Sequence, residues 1–337
     1  MRLLRYSIRR ILLLVPVLAA ATFLTFALTR ILPGNPLDRV LSPYISQELR
    51  AEMKREAGFD RPFYEQFYVY LIDLSHGDMG VSYTTAQEVS KDLGERLPAT
   101  FELVTAAMFV AISLGVPLGA MSAIAKGRWT DHIGRVVSVL GVSTPIFWLA
   151  LMLLYLFFFR LEWVPGPIGR IDVLLSAPQT ISGLFIIDAA LTGNWKVFTS
   201  AVACLTLPTI TLGFTAMAPI ARMTRATLIE ALESDYIRTA TCMGLPKRVI
   251  YLQHAFQNAL LPIITIIAAV YGYVLGGEVI VEYIFSWPGL GLYAFNAILA
   301  SDFPAIQGFI LLMTAIYVLI YFVLDLLTAF LDPRVEF

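Results

Sequence analysis

The chain has 337 residues, of which 58% are hydrophobic and only 15% are charged, and its mean hydropathy is +0.74. A typical soluble domain is about 25% charged, so this composition indicates an integral membrane protein. The chain has a formal net charge of −1, so it lacks the general basic character of a nucleic-acid-binding protein. The cysteines, Cys204 and Cys242, are too few for a disulfide framework, and His76, His132 and His254 show no metal-ligand spacing.

Long apolar segments occur six times along the chain and predict an all-α membrane protein with six transmembrane helices. These segments are Ile11–Leu32, Ala99–Ala125, Val136–Phe159, Ala201–Ala221, Ala259–Val281 and Ala305–Phe330. The first segment follows four arginines, as the apolar part of a signal peptide would. Its apolar run exceeds the usual length of about 7–15 residues and no small-residue cleavage site follows, so we predict a retained span.

Lysine and arginine residues concentrate on alternate sides of the predicted spans. The N-terminus carries four, the loop between the second and third spans carries three, Arg222–Asn258 carries five, and Glu282–Pro304 carries none. By the positive-inside rule, both termini and these two basic loops are cytoplasmic. We therefore divide the chain into residues 1–98, with the first span and a long extracytoplasmic loop, and residues 99–337, a five-helix core with a cytoplasmic loop at 222–258.

The predicted extracytoplasmic segments contain further helical patterns. In the first of them, Gln47–Ala57 and Tyr64–Leu74 each predict a helix. In the second, Ile181–Leu191 is moderately apolar, but Pro178 and Asp188 argue against a seventh span. We predict a short amphipathic or re-entrant helix there.

Ionisable residues near the ends of the spans are the candidates for chemistry inside the membrane. Glu278 and Glu282 lie one helical turn apart. They could bind a cationic group such as a peptide ammonium, or they could be solvated at the interface or paired with a neighbouring helix end. Asp325, in the last span, is the candidate that an intramembrane protease or transferase would need, or else is hydrated or paired at the interface. We find no nucleotide-binding motif and no nucleophile–histidine–carboxylate grouping, so we predict that the chain is not an enzyme and binds no cofactor or metal.

Two spans contain glycines at spacings typical of close helix packing. The second span has Gly115 and Gly119 four residues apart, and the fifth has Gly272, Gly276 and Gly277. Glycine lets helix backbones approach closely, so these positions predict tight contacts between spans. In a transporter such contacts would also slide during gating.

The segment DYIRTATCMG, residues 235–244, predicts a short cytoplasmic helix between two apolar segments. Ser234 or Asp235 could cap its start, and Gly244 can adopt the left-handed conformation that ends a helix. Pro246 prevents continuation. Such a helix either contacts a cytoplasmic partner or is an ordinary solvated loop helix.

The same segment resembles the EAA loop of permeases from ATP-binding-cassette importers. Their general consensus is poorly kept, because Arg238-Thr239-Ala240 stands at the E-A-A position. The version of the dipeptide, oligopeptide and nickel permeases, D-Y-I-R-T-A-x-x-x-G followed by H-A-x-x-N-A-L-L-P, is kept well by Asp235–Gly244 and His254–Pro262. Further matches to that family extend over the chain: LPGNP, HGDMGVS, GVSTPIFW, LPTITLG, RMTR, FSWPGLG, SDFPAIQG and DPR. The stretch TISGLFIIDAAL resembles the dipeptide branch of the family.

The resemblance implies a type I importer permease fold in a bacterial inner membrane. It implies a second permease, two ATPase subunits that bind ATP and Mg, an extracytoplasmic binding protein, and a dipeptide or short oligopeptide as substrate. It also implies an alternating-access mechanism driven by ATP hydrolysis. The residues expected to couple to the ATPases are Asp235, Tyr236, Ile237, Arg238, Thr239, Ala240, Gly244 and His254. Those expected at the translocation path or outer gate are Glu278, Glu282, Trp287, Pro288 and Gly289.

Other functions stay open from the sequence. A permease of the same family could carry nickel, haem or an antimicrobial peptide. An ATP-independent channel or facilitator would keep the six spans and need no ATPase, and a membrane enzyme would need a catalytic group such as Asp325 or His254.

Overall fold

Helices account for most of the computed structural model, which describes residues 2–31, 61–277 and 279–331. No strand is found in these ranges, apart from an isolated bridge between Val81 and Glu88. The helices are α1 Arg2–Ile31, α2 Phe63–Ser75, α3 Val89–Ile124, α4 Trp129–Ser143, α5 Ile146–Leu153, α6 Phe185–Leu191, α7 Trp195–Leu232, α8 Asp235–Cys242, α9 Lys247–Val249, α10 Phe256–Gly277, α11 Val279–Ile284, α12 Leu290–Ala300 and α13 Phe303–Leu331. Two π-helical turns, Leu154–Arg160 and Ile250–Ala255, continue α5 and precede α10. The all-helical fold class is thus confirmed.

Four described helical segments are long and apolar enough to cross a membrane, or five if one bent pair is counted as a span. The four, Val89–Ile124, Trp195–Leu232, Lys247–Gly276 and Phe303–Leu326, contain most of the second, fourth, fifth and sixth predicted segments. All four begin earlier in the chain than predicted, because backbone hydrogen bonding continues a helix past the apolar residues that mark the lipid-facing part. In the region of the first predicted segment, α1 has an apolar stretch, Val15–Thr29. The count of six spans and the side of each terminus stay predictions.

The third predicted span, Val136–Phe159, is not a straight helix. It is broken between α4 and α5, whose axes differ by 101°. Thr144 has extended backbone angles, φ −80° and ψ 120°, and Pro145 follows it. Proline lacks an N–H and disfavours helical angles in the residue before it, so the break has a local cause that the apolar run concealed.

The loop helices agree with the prediction where they are described. The helix predicted at Tyr64–Leu74 is α2, and Ile181–Leu191 contains only the seven residues of α6, far too few to span. The helix predicted at Gln47–Ala57 lies outside the described residues.

The chain divides into two packed units. The first, Met1–Leu97 with Leu292–Val318, contains an aromatic cluster in which Phe23 and Phe26 of α1 pack against Phe63 and Phe67 of α2. Buried Asp302 accepts hydrogen bonds there from the hydroxyl of Ser82 and the amide of Thr84, at 2.6 and 2.9 Å. These contacts tie the segment before α3 to the start of α13.

The second unit, Pro98–Gly291 with Leu319–Phe337, is built around α7. This helix packs against α4, α5, α6 and α10. The predicted close packing at Gly115 and Gly119 is confirmed, because a Cβ at Gly119 would clash with the carbonyl of Ala221 and the side chain of Thr224 in α7. By contrast, a Cβ at Gly276 would meet open space in the described structure.

Candidate functional site

The predicted cytoplasmic helix is present as α8, whose eight residues give a length of about 12 Å. Ser234 is the residue before its first turn, and the carbonyl of Ser234 accepts hydrogen bonds from the amides of Ile237 and Arg238, each at 3.2 Å. The Ser234 hydroxyl does not cap the helix as predicted, because it donates to the carbonyl of Ala231 at 2.5 Å. Asp235 is the first helical residue, where the negative charge of a carboxylate interacts favourably with the helix dipole.

The end of α8 has the hydrogen bonds of a Schellman motif. The amide of Gly244 donates to the carbonyl of Thr241 at 3.0 Å, and the amide of Leu245 donates to the carbonyl of Ala240 at 3.3 Å. Gly244 has φ +75°, so the predicted left-handed stop is confirmed. Pro246 follows in extended conformation and starts the turn into the next helix.

One face of α8 is buried against the neighbouring helices. Ile237 and Ala240 are only 5% and 7% exposed, and their spacing of three residues places them on the same helix face. They join an apolar cluster with residues of α3, α7, the π-helical turn Ile250–Ala255 and α10: Ala123, Leu228, Ala231, Ile250, Ala255, Ala259 and Ile263. Leu245 packs on the same cluster. Burial of this face fixes the position of α8 on the ends of the longer helices.

The opposite face of α8 is open. The side chains of Asp235 and Arg238 are 96% and 75% exposed and form a surface ion pair at 3.3 Å. Tyr236 is 42% exposed, and Thr239 is also exposed. The predicted coupling residues of α8 therefore separate into two that anchor the helix and four that face outward. An aromatic ring beside an arginine is a composition typical of the energetic centre of protein interfaces.

His254, also predicted for coupling, lies in the π-helical turn Ile250–Ala255 that packs against α8. Its carbonyl accepts a hydrogen bond from the side-chain amide of Asn258 at 2.7 Å. The π-helical turn contributes Ile250 and Ala255 to the buried cluster. The structure thus brings the separate motifs around Asp235 and His254 together on one buried apolar cluster. Whether these residues couple to an ATPase stays a prediction.

Two ion pairs beside this cluster were missed by the sequence analysis. Asp131, buried at the start of α4, accepts hydrogen bonds from Nε and Nη2 of Arg225 at 2.7 and 3.0 Å and from the amide of Gly127 at 3.0 Å. Lys126 pairs with Glu233 at the surface. Asp131 is the only acidic residue between Lys126 and Arg135. A single carboxylate in a basic loop is the sequence feature that could have predicted an ion pair there. The Asp131–Arg225 pair connects the start of α4 to α7, and the Lys126–Glu233 pair connects the loop after α3 to the residue that follows α7.

The predicted gate residues have a different environment. Glu278 lies outside the described residues. Glu282 is 3% exposed and accepts a hydrogen bond from the hydroxyl of Thr100 at 2.7 Å. Trp287 is 1% exposed, and its Nε1 donates to the carbonyl of Ala99 at 2.8 Å. Three segments thus meet at Ala99 and Thr100 of α3, and we call this arrangement the α3 joint.

Gly289 and Pro288 complete the predicted gate segment. Gly289 is buried, and a Cβ there would clash with Glu282 and Thr100 of the α3 joint. The amide of Leu290 donates to the hydroxyl of Thr100 at 2.7 Å. Of the predicted gate residues that the structure describes, only Pro288 is exposed. A role in the path or gate stays a prediction for all of them.

The second predicted outer loop is fixed by buried charges. Arg170, 8% exposed, donates to Glu102 of α3 at 2.6 Å and lies over the ring of Phe185 at 3.6 Å. Burial lowers the pKa of Arg170 although the charge of Glu102 opposes that shift. Burial would raise the pKa of Asp188, but hydrogen bonds from Ser182 and from neighbouring backbone amides outweigh it and hold that pKa below its usual value. The loop is therefore a built element with defined polar contacts.

Comparison with known proteins identifies the family. Residues 115–337 match the family described as the binding-protein-dependent transport system inner membrane component. The chain is 40% identical over 322 residues to the probable D,D-dipeptide transport system permease protein of Escherichia coli (strain K12), a match that covers 96% of this chain and 94% of that protein.

Two further relatives match over nearly their whole length. The dipeptide transport system permease protein of Alkalihalophilus pseudofirmus is 39% identical, with 99% of this chain and 100% of the relative covered. The di/tripeptide transport system permease protein of Pseudomonas aeruginosa (strain UCBPP-PA14) is 40% identical, with 99% of each chain covered. The predicted resemblance and the inner-membrane location are thus confirmed. The chain therefore belongs to the family of inner-membrane components of binding-protein-dependent transport systems, the permeases of ATP-binding-cassette importers.

Proposed function

We propose that this chain forms, with a second permease, the translocation path for dipeptides or short oligopeptides. Two cytoplasmic ATPase subunits bind ATP and Mg, and one of them contacts α8. An extracytoplasmic binding protein delivers the peptide. ATP binding draws the ATPases together and opens the path outward, and hydrolysis returns it to the inward-facing state.

The observation that carries this proposal is the two-sided construction of α8. A solvated loop helix needs no anchored base, whereas α8 buries Ile237 and Ala240 and presents Tyr236 and Arg238 outward. A push on its open face would be transmitted to α3, α7 and α10, because residues of all three helices form the buried cluster below it. Chains of packed side chains and rigid helices of this kind can carry coupling between a docking surface and moving helices.

The names of the relatives support peptides as substrate. Those reported above are named for D,D-dipeptides, dipeptides and di/tripeptides. A 30% identical protein of Escherichia coli O6:H1 is named a glutathione transport system permease protein, so related permeases differ in the peptide carried. Nickel, haem or an antimicrobial peptide is the alternative substrate within the family, and an ATP-independent facilitator is the alternative mechanism.

The first experiment is a gentle detergent purification of the tagged chain from its native host, with mass spectrometry of the proteins that accompany it. We expect a second permease and two ATPase subunits, or two copies of one ATPase. This complex and the purified binding protein are then placed in liposomes, and uptake of a labelled dipeptide is measured with and without ATP. Uptake that requires both ATP and binding protein supports the proposal. A chain that purifies alone and folded, or uptake at equal rates without ATP, would favour a facilitator.

A further inference from the structure

The break in the third predicted span borders a cavity of about 590 Å³ within the second unit. Its walls come from four places: the α4–α5 break at Thr144, α7 at Thr215 and Arg222, α10 at Tyr273, and α11 at Ile280. Tyr273 is 70% exposed, so this wall can be reached from outside the chain. In transporters, interrupted membrane helices often line the substrate site, because irregular backbone within the membrane is stable only where it borders protein or a polar cavity.

The charge of the cavity comes from Arg222. No acidic residue lines the cavity among the residues described. Arg222 is exposed and pairs with no carboxylate in the described part of the chain, whereas Arg225, three residues later, is bound to Asp131 through two hydrogen bonds. The two arginines therefore have different environments. Arg225 is held by a carboxylate of this chain, and Arg222 presents a guanidinium that no described carboxylate neutralises.

A guanidinium is the side chain best suited to hold a carboxylate, because its parallel N–H groups match both oxygens. The other polar wall groups, the hydroxyls of Thr144, Thr215 and Tyr273, are neutral and can contact an amide. The remaining wall is largely apolar, including Val142, Ile146 and Val270, and suits a small side chain. A short peptide with a free terminal carboxylate has these three kinds of group.

We infer that this cavity is a peptide subsite in which Arg222 binds the terminal carboxylate of the substrate. The inference rests on the proposed function and adds the contact through which the permease itself recognises the peptide. Arg222 ends the fourth predicted span on the side assigned to the cytoplasm, so the subsite belongs to the inward part of the path. The carboxylate leaves Arg222 when the peptide passes into the cytoplasm.

The test uses the assembled permease–ATPase complex in lipid nanodiscs without binding protein, so that selection by the binding protein cannot contribute. A dipeptide with a photoreactive side chain is crosslinked at millimolar concentration, and the labelled residues are mapped by mass spectrometry. We expect label near Thr144 and Tyr273. An unlabelled dipeptide should compete roughly tenfold better than its C-terminal amide, because the amide lacks the charge that Arg222 binds.

Three variants separate binding from folding. Arg222→Gln should lower the crosslink yield roughly tenfold and remove the preference for the acid over the amide, and Arg222→Lys should restore part of both. Arg128→Gln is the matched control, since Arg128 is an exposed arginine outside the cavity. It should leave the yield unchanged. Assembly of each complex is checked by size-exclusion chromatography.

Several results would overturn the inference. These are the absence of label from the cavity, equal competition by acid and amide, and an Arg222→Gln complex that assembles and keeps the acid preference. A lipid phosphate held at Arg222 in native mass spectrometry, with no peptide label, would also overturn it. Uptake by the same complex in liposomes, with binding protein and ATP, distinguishes failure of the subsite from failure of the proposed function. Normal uptake with an unlabelled cavity rejects only the subsite, whereas no ATP-driven uptake of any peptide rejects the proposed function.

Discussion

The segment α8 and the α3 joint both contain residues that the resemblance to importer permeases predicted as functional, and their environments differ. In α8 the aromatic Tyr236 is 42% exposed, and the ionisable side chains form only a surface pair. In the α3 joint, Trp287 is 1% exposed and Glu282 is 3% exposed. The first region leaves these groups exposed, and the second uses them to hold three segments of one chain together. A tryptophan or glutamate beside a span can therefore be assigned to a partner surface only after the structure shows that it is exposed.

The comparison also separates two ways of stabilising a helix end. The α3 joint relies on hydrogen bonds between distant segments, such as the bond from the Trp287 indole to the carbonyl of Ala99. The base of α8 relies on apolar contacts, with its backbone ends satisfied locally by the Schellman motif. Substitutions in the α3 joint should therefore lower stability. In α8, substitutions on the buried face should lower stability, and substitutions on the exposed face should lower coupling.

The largest effect is expected for Trp287→Ala. It removes a fully buried side chain and leaves the carbonyl of Ala99 without the indole donor, so we expect a loss of about 3–5 kcal/mol in the free energy of unfolding. Thermal unfolding of the purified complex, followed by size-exclusion chromatography, measures it. Trp287→Phe is the control that keeps most of the packing and should cost about 1–3 kcal/mol. A Trp287→Ala complex with wild-type stability and altered uptake would show that the residue belongs to a mobile gate.

The second prediction compares the two faces of α8. Ile237→Ala should destabilise the complex by about 2–3 kcal/mol, because it opens a space in the buried cluster. Tyr236→Ala should leave the melting temperature nearly unchanged and weaken ATPase docking about tenfold, as loss of an interface aromatic does. Melting temperature and the number of peptides imported per ATP hydrolysed are measured for both. Equal destabilisation by the two substitutions would contradict the two-sided construction.

Much of this organisation could be predicted from the sequence because it depends on local rules. Apolar run lengths located the long helices, and a glycine followed by proline located the end of α8. The break at Thr144–Pro145 was also local, but the surrounding apolar run hid it. The burial of Glu282 and Trp287 could not be predicted, because their partners Thr100 and Ala99 lie more than 180 positions away in the sequence. The pairing of Asp131 with Arg225 depends on tertiary structure in the same way.

The third prediction tests whether Glu282 acts through its charge. Among its contacts is a hydrogen bond that it accepts from Thr100, and an amide oxygen can also accept this bond. Glu282→Gln should therefore cost only about 1 kcal/mol in unfolding free energy and retain most peptide uptake. Glu282→Ala removes the acceptor as well and should be less stable than Glu282→Gln. Loss of uptake in a stable Glu282→Gln complex would instead support binding of a cationic group in the path.

The smallest effect on stability, and the sharpest on coupling, is expected at Gly244. Its φ of +75° disfavours side chains, but a Cβ there meets open space, so replacement costs only about 1 kcal/mol in backbone conformation. Asparagine and aspartate tolerate this conformation best among residues with side chains. Gly244→Asp should thus insert and assemble normally, while its added carboxylate lies at the end of the docking helix, where negative charge opposes the helix dipole.

Gly244→Asn is the matched control, since it has the same shape without the charge. We expect Gly244→Asp to import fewer peptides per ATP than wild type and Gly244→Asn to lie between them, as measured by parallel uptake and phosphate-release assays in liposomes. If Gly244→Asp keeps the wild-type ratio of peptide imported to ATP hydrolysed, the assignment of α8 as the coupling helix is wrong. If both variants lose coupling equally, the contact requires the glycine backbone itself, because charge would then make no difference.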